Sequence, residues 1–216
     1  LSFNARVLQE AQDKEVPLIQ RVRYIGIFSN NLDEFFRVRV AEVRRLISLS
    51  SGKRHQRAEK LLAAIQYRVL LLQQDFEVIY AKLLRELARK GVYLINETQL
   101  QDDQLAFVEA FFHSKVLPEL EPILLRDDQP IPNLADESLY LAVDIDTNSG
   151  PQYALLEVPT NRLGRFIEIP GREGGKGRVF IVLDNIIRAC LPQVFRGVFE
   201  IDAVSAYCFK FSRDAE

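Results

Sequence analysis

The sequence predicts an α+β protein. A helical hairpin or bundle fills residues 1–91, and a head of mixed helices and mainly antiparallel sheet fills 92–216. Three observations predict this. Apolar residues step by three or four through the first ninety positions, as the inward face of a helix requires. Beyond Gly91 that spacing gives way to short runs rich in Val, Ile, Leu and Tyr, broken by turn residues. The charge changes sign at the same place: residues 1–90 hold 17 Lys and Arg against 10 Asp and Glu, whereas 91–216 hold 11 against 20. A basic module beside an acidic one is the simplest reading.

The overall figures permit such a protein. The chain has 216 residues, is 48% hydrophobic and 27% charged, and carries a net charge of −2. That is enough apolar material for a real core, which excludes wholesale disorder. No apolar run approaches the roughly 20 residues needed to span a bilayer. No basic-then-apolar leader with a small-residue cleavage site opens the sequence, so nothing in it suggests secretion. Two cysteines, Cys190 and Cys208, are too few for a disulfide framework or a zinc cage. Reduced thiols in a cytoplasmic protein are expected, with peripheral membrane association left open.

Residues 3–12 read as a short helix capped by Ser2. Leu18, Val22, Ile25, Phe28, Leu32, Phe36, Val40, Val43 and Ile47 then mark the buried stripe of one long helix, or of two nearly collinear ones, over 17–47. Pro17 suits its first turn, where a missing N–H costs nothing. The weak point is Ser29-Asn30-Asn31, whose side chains compete for backbone hydrogen bonds. Ser48–Gly52 is a turn by composition. Leu61, Ile65, Val69, Leu72, Phe76, Ile79, Leu83 and Leu87 form a second stripe, closed by Arg89, Lys90 and Gly91.

Val92–Ile95 is strand-like. Residues 101–117 form a helix with Leu105, Val108, Phe112 and Val116 inward, Asp102 and Asp103 at its start and Pro118 at its end. Strands are expected at 138–145, 152–158, 165–169 and 178–183, the first two joined by a hairpin turn over Asp146–Pro151. A helix near 183–190 and a strand near 203–212 complete the head.

Few segments carry chemistry. The run Gly171–Gly177 has the look of a phosphate loop but fails its spacing, with three residues between Gly171 and Gly175 where four are required. Gly177 also stands where a Ser or Thr should ligate magnesium, so a surface hairpin loop is the better reading. His55 and His113 lack the adjacent acid, nucleophile or metal ligand that a catalytic role requires. Adjacent acids such as Asp33-Glu34 and Asp127-Asp128 point apart on a helix and make no joint site. Ser29–Arg39, SNNLDEFFRVR, is the unusual stretch. Its ordinary reading puts Leu32, Phe35 and Phe36 in a core and pairs Asp33 with Arg37. Its functional reading uses an exposed carboxamide, whose donor and acceptor together suit adenine, with Arg37 and Arg39 near phosphates.

The same residues carry a resemblance. LSFNARVLQEAQD at 1–13, PLIQRVRYIGIFSNNLDEFFRVRVAEVRR at 17–45 and FSRDAE at 211–216 resemble the N-terminal part of the bacterial polyphosphate kinase family, as do YLINE at 93–97, YALLEVP at 153–159 and VLDNIIR at 182–188. The resemblance implies reversible transfer of the terminal phosphate of ATP to inorganic polyphosphate, with Mg2+ and a phosphohistidine. It implies an N-terminal helical domain and a head that joins subunits into a dimer or a dimer of dimers, with two catalytic domains after 216. The family's adenine contact falls on Asn31. The phosphohistidine and the magnesium positions fall in the later domains, so neither His55 nor His113 takes that role and the 216 residues by themselves are expected to be inactive. The rivals are a non-catalytic module that binds nucleic acid through the basic hairpin, and a purely structural assembly module. Against the first, the aromatic residues fall on the core stripe, away from the arginines.

Overall fold

The computed structural model describes residues 1–126, 128–130, 132–171 and 175–215. It divides into two compact units, Leu1–Arg89 with the closing residues from Ser212, and Lys90–Phe211. Asp127 and the centre of the glycine run, 172–174, lie outside the described residues.

The helical unit starts with α1 (Ser2–Gln12) and α2 (Leu18–Phe35). The five residues between them fold back through Asp13, whose Oδ1 accepts the Glu15 N–H at 2.9 Å. The helices therefore run antiparallel, with Arg21 opposite Ala11 and Asn4 opposite Phe28. Ser2 is not the cap: it is the first helical residue, Leu1 holds the cap position, and no side chain caps the end. Pro17 likewise sits one place earlier than expected, just outside α2.

The weak point at Ser29-Asn30-Asn31 stays helical within α2. Ser29 Oγ donates to the Ile25 carbonyl at 3.2 Å and the Asn31 amide is taken up by Asn4, so neither side chain disrupts the backbone ladder. The irregularity lies further on, in a π turn over Phe36–Val40 that leads directly into α3 (Ala41–Leu49). There Ala41 N–H reaches back five residues to Phe36, and the Arg37 carbonyl accepts the Ala215 N–H at 3.0 Å. The last residues of the chain are thus tied to the widened turn.

After Ser50 and Ser51, α4 (Gly52–Arg89) runs for 38 residues. Val69, Leu72, Ile79 and Leu83 are buried on it, with Phe76 stacked on Phe28 at 5.3 Å. Leu61, expected inward, is half exposed, whereas Ala58 one turn earlier is buried. The core of the unit is Val7, Leu8, Ala11, Ile25, Phe28, Leu72, Ile79 and Leu83.

Among its described residues the head holds two sheets. In one, β1 (Val92–Ile95) pairs parallel with β6 (Arg178–Val182), which pairs antiparallel with β5 (Phe166–Ile169). In the other, β2 (Ile123–Leu125), β4 (Gln152–Glu157), β3 (Leu139–Thr147) and β7 (Ile201–Lys210) run in that order and are antiparallel throughout. β2 falls on residues that carry no legible strand pattern.

Alternation along β3 sends Leu141, Val143 and Ile145 to one face and Tyr140 to the other. The first face packs on α5 (Asp102–Phe111), its π-turn continuation through Val116, α7 (Leu183–Ala189) and α8 (Leu191–Val194). A four-residue helix, α6 (Thr160–Leu163), links β4 to β5. Leu105 is only partly covered, 37% exposed. Gln104 is buried in its place, donating to the Pro170 carbonyl at 2.9 Å. No helix among the described residues is long and apolar enough to cross a membrane.

Candidate functional site

The functional stretch of α2 opens onto a pocket of about 360 Å³ in the helical unit. The start of α1 contributes Leu1, Phe3 and Asn4, and one face of α2 and its π turn contributes Asn31, Glu34, Phe35, Val38 and Arg39. Helical spacing of three and four puts these residues on one wall, and the antiparallel return of α1 supplies the other. Phe3 is mostly exposed, and Phe35 half-buried.

Asn31 sits on this wall. Its Nδ2 donates to Asn4 Oδ1 at 3.2 Å. Asn4, only 5% exposed, donates in turn from its Nδ2 to the Phe28 carbonyl at 3.0 Å. Among the described residues no hydrogen bond reaches Asn31 Oδ1, so one acceptor and one remaining N–H are available to a guest. Asn4 was not legible as a site residue. Its partner lies 27 positions away, and only the close of the α1–α2 hairpin brings the two amides together.

The charged members of the stretch differ in place. Arg39 lines the pocket and donates to Glu42 at 3.3 Å, both side chains being exposed. Leu32, Phe35 and Phe36 are half-buried rather than core, and of these Leu32 packs on the core of the unit. Arg37 offers its carbonyl to the tail.

The histidines stay apart from this pocket. His55 has Nδ1 2.9 Å from the Ile47 carbonyl and Nε2 3.3 Å from Glu59, bracing the turn between α3 and α4. His113 is exposed on the π turn after α5. Among the described residues no group of His, Cys, Asp and Glu is arranged to hold a metal ion.

Comparison with known proteins decides the family. Residues 1–95 match the polyphosphate kinase N-terminal domain and residues 103–216 match the polyphosphate kinase middle domain. The chain belongs to the polyphosphate kinase family. The polyphosphate kinase of Vibrio cholerae serotype O1 is 48% identical over 218 aligned residues, covering 100% of this chain and 31% of that protein. That of Escherichia coli K12 is 44% identical, again over all of this chain and 32% of its own length. The crystal structure of the polyphosphate kinase from Porphyromonas gingivalis superposes with a TM-score of 0.85 at 33% identity, covering 100% of this chain and 32% of that one. The chain thus spans about a third of the length of the polyphosphate kinases it matches, and corresponds to their N-terminal and middle domains.

Proposed function

We propose that this chain supplies the adenine-binding and subunit-joining parts of an enzyme that reversibly moves the terminal phosphate of ATP onto inorganic polyphosphate. The observation that carries the reading is the open Asn31 carboxamide in a pocket with room for a purine. The exocyclic amine of adenine donates to Asn31 Oδ1, and the free Nδ2 hydrogen donates to a ring nitrogen. Phe3 and Phe35 line the pocket and offer aromatic surface to the base. The positively charged Arg39 stands on the same rim, where a polyphosphate tail gains from a cation.

In this reading residues 1–91 close over the nucleotide. The head, 92–216, joins subunits into a homo-oligomer and shapes the passage for the polyanion. Magnesium and the phosphorylated histidine belong to further domains of the enzyme. No step of the transfer runs through the residues described here. They bind and orient ATP, and a bound nucleotide held by its base presents its terminal phosphate at a fixed place. The basic balance of residues 1–90 draws in polyanionic substrates, and the protein works in the cytoplasm without nucleic acid as a partner.

The test is Asn31→Ala in the full-length enzyme. One neutral hydrogen bond is worth about 0.5–1.5 kcal/mol, so KM for ATP should rise roughly two- to tenfold. An unchanged KM would remove Asn31 from the nucleotide site.

A further inference from the structure

The relay behind Asn31 has a fixed polarity. The Phe28 carbonyl can only accept, so the Asn4 side chain must turn its Nδ2 toward it. That leaves Asn4 Oδ1 facing α2, where it accepts only a donor, and the group it meets is Asn31 Nδ2. Asn31 Oδ1 is therefore the atom left pointing to the pocket. An asparagine amide free in solvent turns broadly about its last torsion and offers either atom. Here a backbone carbonyl on α2 decides which one, through a buried side chain on α1.

From this, and resting on the adenine reading of the pocket, we infer that Asn4 is a positioning residue that sets base specificity: it holds the Asn31 amide so that a 6-amino purine is accepted and a 6-oxo purine is refused. The 6-amino group donates and meets Oδ1. The 6-oxo group of hypoxanthine presents a second acceptor to the same oxygen, and that clash leaves both groups unpaired. Were Asn4 unable to accept, the Asn31 amide would turn over, present Nδ2 to the base and serve the oxo purine equally well.

The measurement is kcat/KM of the full-length enzyme for ATP and for inosine triphosphate, taken for the parent, Asn31→Ala, Asn4→Leu, Asn4→Ser and Asn4→Asp. Leu and the shorter Ser both remove the acceptor from Asn31, so a folded variant without it is read even if one fails to fold. Asp keeps an acceptor for Asn31 Nδ2 while losing the donation to Phe28. The inference expects the preference for ATP to shrink by about two- to tenfold in Asn4→Leu and Asn4→Ser, the worth of one hydrogen bond, and to survive in Asn4→Asp. A role confined to packing would lower the melting temperature and slow both nucleotides alike, leaving the preference intact. That result, or an Asn4→Asp preference as weak as that of Asn4→Leu, overturns the inference. If Asn31→Ala keeps the full preference, the adenine reading itself falls. If Asn31→Ala loses it and Asn4→Leu and Asn4→Ser keep it, only the role of Asn4 falls.

Discussion

Arg21 of α2 holds Glu86 of α4 with both terminal nitrogens, at 2.7 and 3.2 Å. Its Nε donates to the Ala11 carbonyl at 2.9 Å, where α1 is ending. One buried guanidinium thus ties three helices together, and it uses the planar donor fork that a lysine lacks. Removing the arginine leaves a half-buried carboxylate and a helix-end carbonyl without their donor. Arg21→Leu should cost about 3 kcal/mol, and Arg21→Lys should recover only part of it. Urea unfolding followed on the helical signal checks this, and a loss below about 1 kcal/mol would reduce the contact to an ordinary surface pair.

The same contact makes the helical unit sensitive to acid. The hydrogen bond from Arg21 holds the Glu86 carboxyl below its ordinary value of 4.5. A carboxyl depressed by folding adds stability that is complete above its unfolded value and is lost as pH falls through the folded one. The helical unit should therefore weaken progressively below about pH 4.5, the ordinary glutamate range. Glu86→Gln should be less stable at neutral pH and show a flatter decline in acid. Parallel decline of the two proteins between pH 5 and pH 2 would dissociate Glu86 from the effect.

What the sequence made legible follows from the range of each interaction. The stripes at 18–47 and 69–83 were readable because helical packing repeats every turn, and no stripe position from Leu18 to Ile47 is fully exposed. The first turns of α4, Gly52 to Lys60, have no apolar repeat, and they fold because α3 and the His55 contact with Ile47 hold them. β2 has only three residues, directly after Pro122, too few to show alternation. Among the described residues the expected sheet is two, and the partner of β1 lies 86 positions further on, in β6 (Val92 opposite Arg178). Asn31 stood out by its neighbours and by resemblance. Asn4 was one polar residue in an ordinary amphipathic helix, and its meaning is tertiary.

Glycines separate close approach from simple flexibility. Gly177 has φ +145°, and a Cβ there would lie 2.6 Å from the Gly91 carbonyl oxygen and 2.8 Å from the Tyr93 ring. The contact adjoins the first rung between β1 and β6, where Arg178 N–H donates to the Gly91 carbonyl at 2.8 Å. Gly177→Ala should destabilise the head by about 2 kcal/mol or more, through strain and a parted ladder. Gly26 lies inside α2 with open space around it. Gly26→Ala should stabilise the helical unit by roughly 0.5–1 kcal/mol. Opposite signs in paired melts are the expected outcome, and a neutral Gly177→Ala would mean that β1 and β6 do not meet there.

The two cysteines should be quiet for reasons that differ in degree. Burial first, then the neighbouring Glu109, pushes the Cys190 thiol up to about 11. Cys208 is also raised by burial and by Asp184, against the opposing pull of Arg188 and Arg165, and it is only half-buried. The reactive form is the thiolate, so at pH 7.5 neither residue should react appreciably with iodoacetamide in the folded protein, whereas both should in urea. As pH rises, the thiolate fraction of each grows, and access then decides the order: Cys208 on β7 should label before Cys190, which lies fully inside the head core between α7 and α8. Peptide mapping after a pH series reads the order directly. Early labelling of Cys190 would require the α7–α8 corner to open in the native state, contrary to a core in which Leu183, Ile186, Ile187 and Cys190 are each 0% exposed.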